Sequence, residues 1–324
     1  MWITLLIQTA LSVLLLLLKV DVAWANWEQW WTYDGISGPD FWGLLNPDWH
    51  LCSRGRAQSP IDLDPQQLLF DPRLKPFVMD PVKVSGTLLN TGHDIVLKLN
   101  DTPKVNITGG PLSYQYTLSE VHIHYGNHDE HGSEHTIAGK HFPAEIQFLG
   151  YNSELHSNLS EAIDLRESSG LVAVAVLVQL ANQSHPDFRH ITSQLHKITY
   201  RDQETTLEDF EIEKLLPSTE EYMTYSGSLS QPGCVESVRW IVMNKALQVS
   251  KQQLYLLRKL MQGDQDNPKA PLWNNRRPRQ LLNNRVVYTN IDFKRSKEGR
   301  CPTMHKNMYY TANPRNFHDD LSMY

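Results

Sequence analysis

The chain has 324 residues, with 40% hydrophobic and 20% charged residues and a formal net charge of -6. These values exclude wholesale disorder and a multi-span membrane protein, and they leave room for one large β-rich domain with extensions or for two small domains. A nucleic-acid binder needs a dominant basic surface, whereas the basic residues here gather mainly over 269–306.

Residues 1–18 end in the leucine run Leu14 to Leu18, and Ala23-Trp24-Ala25 then offers a small-x-small cleavage site before Asn26. This pattern is that of a secretory signal peptide over 1–25; the apolar run is shorter than the roughly 20 residues that span a bilayer. Secretion, with no membrane span after cleavage, is the expectation, and an uncleaved signal anchor is the alternative. Trp27, Trp30, Trp31, Phe41, Trp42 and Trp49, punctuated by Gly35, Gly38 and Pro39, follow as irregular chain pinned by large side chains. Short apolar runs at 84–89 and 95–99, separated by Asn90-Thr91-Gly92 and followed by Gly109-Gly110-Pro111, read as strands. Residues 171–180 are almost all apolar and rich in valine, so a strand buried on both faces is expected at the sheet centre. A helix is expected over 207–216, with Glu208, Asp209, Glu211 and Glu213 as its solvated face. Ser250 with Gln253 makes a capping box for another helix, and Leu254, Leu257 and Met261 follow at helical spacing. The polar tail 294–324, with Lys294, Arg295, Lys297, Arg300 and Lys306, reads as a basic, flexible extension without the apolar end that a glycolipid anchor requires.

Four sequons, at Asn100, Asn106, Asn158 and Asn182, suit a secreted glycoprotein. The three cysteines Cys52, Cys234 and Cys301 allow one internal bridge and one leftover thiol in an oxidising compartment. Within Glu120-Val121-His122-Ile123-His124-Tyr125, strand alternation sets His122 and His124 on one face and Val121, Ile123 and Tyr125 on the other. Two imidazoles on one face can share a metal, but a zinc that activates water needs a third protein ligand and an open fourth position.

Gln58-Ser59-Pro60-Ile61-Asp62, Asn90-Thr91-Gly92-His93, Gly109-Gly110-Pro111-Leu112, Gly132-Ser133-Glu134-His135, Ala144-Glu145-Ile146-Gln147, Tyr225-Ser226-Gly227-Ser228-Leu229, Trp240-Ile241-Val242 and Leu282-Asn283-Asn284-Arg285 resemble α-carbonic anhydrase motifs in order and spacing. The resemblance implies a mainly β (α+β) fold over 26–293: a single domain with a central twisted, mostly antiparallel sheet of about ten strands and peripheral helices. It matches His122 and His124 to the first two zinc ligands and places Gln147 where the third would stand. It matches Glu145 to the carboxylate that orients that ligand, Glu134 to the acidic partner of a gatekeeper hydroxyl, Ser230 to that hydroxyl, and His93 to the proton shuttle. His128, His131 and His141 could rescue the metal site only through rearranged chain.

Because a glutamine offers zinc only a neutral carbonyl oxygen, no cofactor is expected beyond weak zinc, and no residue of the vestigial set is expected to be active. Gln147 and Cys301 together make the chain similar to the X and XI branch of the carbonic anhydrase-related proteins, although His122 departs from that branch. That likeness implies an extracellular, acatalytic binding protein of the nervous system with a neurexin-like surface receptor. Zinc-dependent carbon dioxide hydration and a purely structural glycoprotein are the rival readings. The resemblance further implies a Cys52–Cys234 disulfide, which leaves Cys301 for a disulfide-linked dimer or a receptor cysteine. On this reading Gln147 alone accounts for inactivity, and Gln147→His is expected to restore a three-histidine cage, raising zinc content and carbon dioxide hydration together, as metal analysis paired with a hydration assay would register.

Overall fold

A computed structural model describes residues 30–292. The expected signal segment, Trp27 and the extension with Cys301 lie outside the described residues. The strands are β1 (Asp62–Leu63), β2 (Leu69–Phe70), β3 (Phe77–Met79), β4 (Lys83–Asn90), β5 (Ile95–Leu99), β6 (Asn106–Gly109), β7 (Tyr116–Tyr125) and β8 (Thr136–Ile137). They continue with β9 (Ala144–Asn152), β10 (Leu171–Ala181), β11 (Glu204–Glu211), β12 (Tyr222–Gly227), β13 (Val238–Met243), β14 (Leu247–Ser250) and β15 (Tyr288–Thr289). Thirteen of them make one sheet, ordered β11-β4-β5-β7-β9-β10-β13-β12-β15-β2, with β14 on β10, β6 on β7 and β3 on β6; β1 and β8 pair apart. Pairing in the large sheet is antiparallel except where β10 meets β13 and β14 and where β15 meets β2. The count exceeds the expected ten in part because edge strands such as β2 and β15, two residues long, are too short to show a period in sequence.

Strand β10 sits inside the sheet, and its residues from Leu171 to Val178 are all buried, as its unbroken apolar run requires. Alternation divides these residues between two cores. Val172, Val174 and Val176 join Val121, Ile123, Ile146 and Phe148 on one face, while Ala173, Ala175 and Leu177 join Leu149, Tyr151 and Trp240 on the other. In β7 the register shifts between Leu118 and Glu120. This bulge lets Leu118 share the face of Val121 and Ile123, while Glu120, His122 and His124 turn to the opposite face.

The capping box at Ser250 and Gln253 forms as expected and starts the helix Lys251–Leu257. The helix stops one turn before Met261, whose N–H instead bonds Thr199 O. The helix expected over 207–216 is not formed: β11 occupies its first half and a 3-10 turn, Ile212–Leu215, most of the rest. The cause is a second bulge, between Leu207 and Phe210, where Asp209 takes a left-handed φ of 58°. It places two buried residues three apart in a strand, a spacing that imitates a helix face.

Cys52 lies in the short helix Leu51–Arg54 and is bonded to Cys234, 182 residues away, as the resemblance implied. Trp31 and Trp42 pack with this bridge, their rings edge to face at 5.3 Å, and the Trp42 indole N–H donates to Thr32 O. The aromatic segment, expected as irregular chain, holds the short helix Trp42–Leu45 and the 3-10 turn Pro47–Trp49 and packs on the disulfide. Cys52→Ser with Cys234→Ser is expected to cost about 2 to 5 kcal/mol, mainly by freeing the unfolded chain. A chemical denaturation midpoint unchanged from wild type would refute this.

Candidate active site

The site grows out of the register of β5, β7 and β9. His122 lies opposite Gln147 across one pair, His124 lies opposite Glu145, and Val96 flanks His122 on the other side. All four polar side chains thus share one sheet face within the buried body of the protein. The chain between β7 and β9 carries Glu134 and His135 onto this face. It is folded tightly there, because Gly132 N and Ser133 N both donate to Phe142 O and Ser133 Oγ donates to His135 O. A Cβ on Gly132 would collide with Pro143 O, so the position excludes side chains.

Glu145 is bound on all sides. Its oxygens accept from His135 N at 2.7 Å and Gln147 Nε2 at 2.9 Å and pair with His135 Nδ1 at 2.8 Å. His135 Nε2 meets the Tyr225 hydroxyl, which donates to Ser59 Oγ. The second N–H of Gln147 reaches Glu134 Oε2 at 2.8 Å, and Arg277 N donates to Glu134 Oε1 at 2.8 Å. Since carboxylates only accept, the Gln147 amide must point its nitrogen at both of them. Burial pushes the Glu145 carboxyl up, but His135 and these donors outweigh it and hold the group below its usual range.

His124 is fully buried, with Nδ1 against Asn275 O and Nε2 without a hydrogen-bond partner. Burial pushes its imidazole down, and the nearby charges of Glu134 and Asp94 more than reverse this, so it titrates above the ordinary histidine value. His122 differs: Nε2 contacts Glu120 Oε2 at 3.0 Å and Nδ1 accepts from Gln231 Nε2 at 2.9 Å. Gln231 Nε2 also donates to Asp94 Oδ2, while Asp94 accepts from Tyr33 and Asn275. Arg277, buried under the site, donates to Gln58 Oε1, Ser59 O and Cys52 O, and burial lowers its guanidinium to about 10.

Residues 37–291 match the family described as "Eukaryotic-type carbonic anhydrase". The chain belongs to the eukaryotic-type carbonic anhydrase family. Among curated relatives, "Putative carbonic anhydrase-like protein 2" of Caenorhabditis elegans is 39% identical over 303 residues, covering 89% of this chain and 88% of the relative.

A zinc site of the kind carbonic anhydrases use for hydration takes three imidazole nitrogens and leaves a fourth position open. The residues here do not fit it. Of the three residues matched to the ligand positions, His124 alone presents a buried nitrogen without a hydrogen-bond partner; both nitrogens of His122 are engaged, and Gln147 has its amide N–H groups committed to two carboxylates. Among the described residues, no three His, Cys, Asp or Glu side chains are grouped to hold a metal ion.

Ser230 borders a gap of about 10 Å³ with His122, Gln147, Leu149, Ala173, Leu229, Gln231 and Trp240. His93 instead lines a separate cavity of about 220 Å³, stacked on Trp31 with ring centroids 4.2 Å apart. His128 and His131 are exposed, and His131 packs edge to face against the half-buried His141 at 5.2 Å. Asn100, Asn158 and Asn182 are exposed, whereas the Asn106 amide is half-buried and donates to Asp80.

Several members of the polar network were not among the sequence candidates: Asp94, Glu120, His135, Tyr225, Gln231, Asn275 and Arg277. Glu120 was within reach, because it precedes His122 by two residues on a strand. Gln231 and Asn275 sit on loops with no local signal, 109 and 151 residues from the histidines they contact.

Gln147→Glu tests the amide's role, since it sets a third carboxylate against Glu134 and Glu145. It is expected to destabilise the fold by about 3 to 5 kcal/mol at neutral pH. The new carboxyl's folded pKa is raised above its unfolded value, so the charge penalty is absent below about pH 4 and grows as pH rises, on top of a pH-independent loss of one of the two donors. Thermal melts of mutant and wild type at pH 5 and pH 7.5 should show a larger gap at the higher pH; an equal gap would refute the argument.

Proposed function

We propose that this protein is a secreted, acatalytic carbonic anhydrase-related protein that works outside the cell as the binding partner of a neurexin-like surface receptor. One observation carries the acatalytic part. Gln147, which the motif resemblance sets at the third-ligand position, faces His122 across the strand pair and commits both amide hydrogens to Glu134 and Glu145. A side chain held this way serves the fold rather than a metal. The relative's name, carbonic anhydrase-like, agrees with this reading. Secretion rests on the signal-peptide pattern and the sequons, and the receptor rests on likeness to the X and XI branch. Cys301 is then the thiol proposed for an intermolecular bridge.

The second reading, a zinc-dependent hydratase, is favoured by the retention of His122 and His124 on one face. Protein secreted from cultured cells decides between them. The expected result is well under one zinc per chain and carbon dioxide hydration at the uncatalysed rate, with capture of a neurexin ectodomain in a pull-down. Stoichiometric zinc with efficient hydration would overturn the acatalytic reading, and failure to retain any neurexin would overturn the receptor.

A further inference from the structure

We propose that Gln231 is a second block to metal binding, independent of Gln147, because its amide N–H occupies Nδ1, the one ring nitrogen of His122 whose lone pair would otherwise be open to a metal. The inference rests on the acatalytic reading and adds a residue that the sequence did not single out.

The argument starts at Asp94. An ionised carboxylate has acceptors only, and Asp94 already takes hydrogen bonds from the Tyr33 hydroxyl and from Asn275 Nδ2. The Gln231 atom 2.9 Å from Asp94 Oδ2 must therefore be the amide nitrogen, since an oxygen there would repel. The same nitrogen lies 2.9 Å from His122 Nδ1. An amide NH2 can only donate, so Nδ1 accepts and the ring proton sits on Nε2. There it faces Glu120 Oε2 at 3.0 Å, which accepts it.

Each member of the chain Asp94, Gln231, His122, Glu120 thus determines the hydrogen-bond role of the next. A metal binds imidazole through a nitrogen lone pair. Here one nitrogen carries the proton and the other meets an N–H. Moving the ring proton to Nδ1 would set two donors against each other at 2.9 Å and turn the Nε2 lone pair onto Glu120 Oε2 at 3.0 Å, so neither nitrogen opens unless Gln231 leaves. Gln231 also closes the space beside the histidine. The gap that it lines with His122, Gln147 and Ser230 is about 10 Å³, at the lower limit for a single water. Placing a histidine at 147 supplies a third imidazole but leaves this chain intact, so, unlike the expectation from the motif alone, Gln147 is not the sole obstacle.

The test uses full-length protein and two readouts. Long-range proton–nitrogen spectra of the wild type, with His122 assigned through its loss in His122→Asn, should show it as the Nε2–H tautomer; an Nδ1–H tautomer would overturn the proposal. Zinc and cobalt affinities, by competition with a chromophoric chelator, are compared for Gln147→His, Gln231→Thr and the double variant. The double variant should bind about 10 to 100-fold more tightly than Gln147→His, the size of effect that groups orienting a ligand usually have. Equal affinity of the Gln147→His and double variants would overturn it. Should a variant fail to fold by circular dichroism, the wild-type tautomer decides alone. Hydration by the wild type would sink the acatalytic reading instead, so the two failures are distinguishable.

Discussion

The interior of this protein depends on keeping buried carboxylates supplied with hydrogen-bond donors. Asp94, Glu134 and Glu145 are nearly or fully enclosed, and ionised groups taken out of water cost several kcal/mol each unless donors surround them. Here the donors are amides and imidazoles. Gln147 bridges Glu134 and Glu145, Gln231 and Asn275 converge on Asp94, and His135 holds Glu145 from two sides. The register of β7 against β9 fixes which of these groups can meet.

The same constraint explains why the site is rigid and filled. A glutamine amide offers two hydrogens in a fixed plane, so one side chain can neutralise two acceptors where a third imidazole would have presented a ring. The arrangement satisfies both carboxylates from within the protein. What remains, His124 Nε2 without a partner, is a single donor atom rather than a ligand set. The framework around it is otherwise that of a well-packed domain: β10 buried on both faces, a disulfide under the aromatic segment, and Arg277 tying the chain near Cys52 to the floor of the site.

The domain has a large buried body and a disulfide that ties the chain near Cys52 to Cys234. The cavity beside His93 and the aromatic segment is separate from the gap beside His122. His93 and His122 thus border different spaces.

Much was legible in the sequence because it follows from short-range rules. Alternation in β7 put His122 and His124 on one face, the valine run marked β10, the Ser250–Gln253 spacing fixed a helix start, and the ordered motifs named the family. These depend on side-chain periods of 2 and 3.6 residues and on capping chemistry, all local. The strand over Glu204–Glu211 was missed because a bulge at Asp209 imitates helical spacing, and no local rule distinguishes the two. Gln147 could be suspected from its place in a motif. Its true function, bridging two carboxylates, was decided only when β9 lay beside β7 and the loop after β7 folded back. Gln231 and Asn275 became part of the site for the same reason. Hydrogen bonds act across about 3 Å of space, and only tertiary structure brings residues more than a hundred positions apart to that distance.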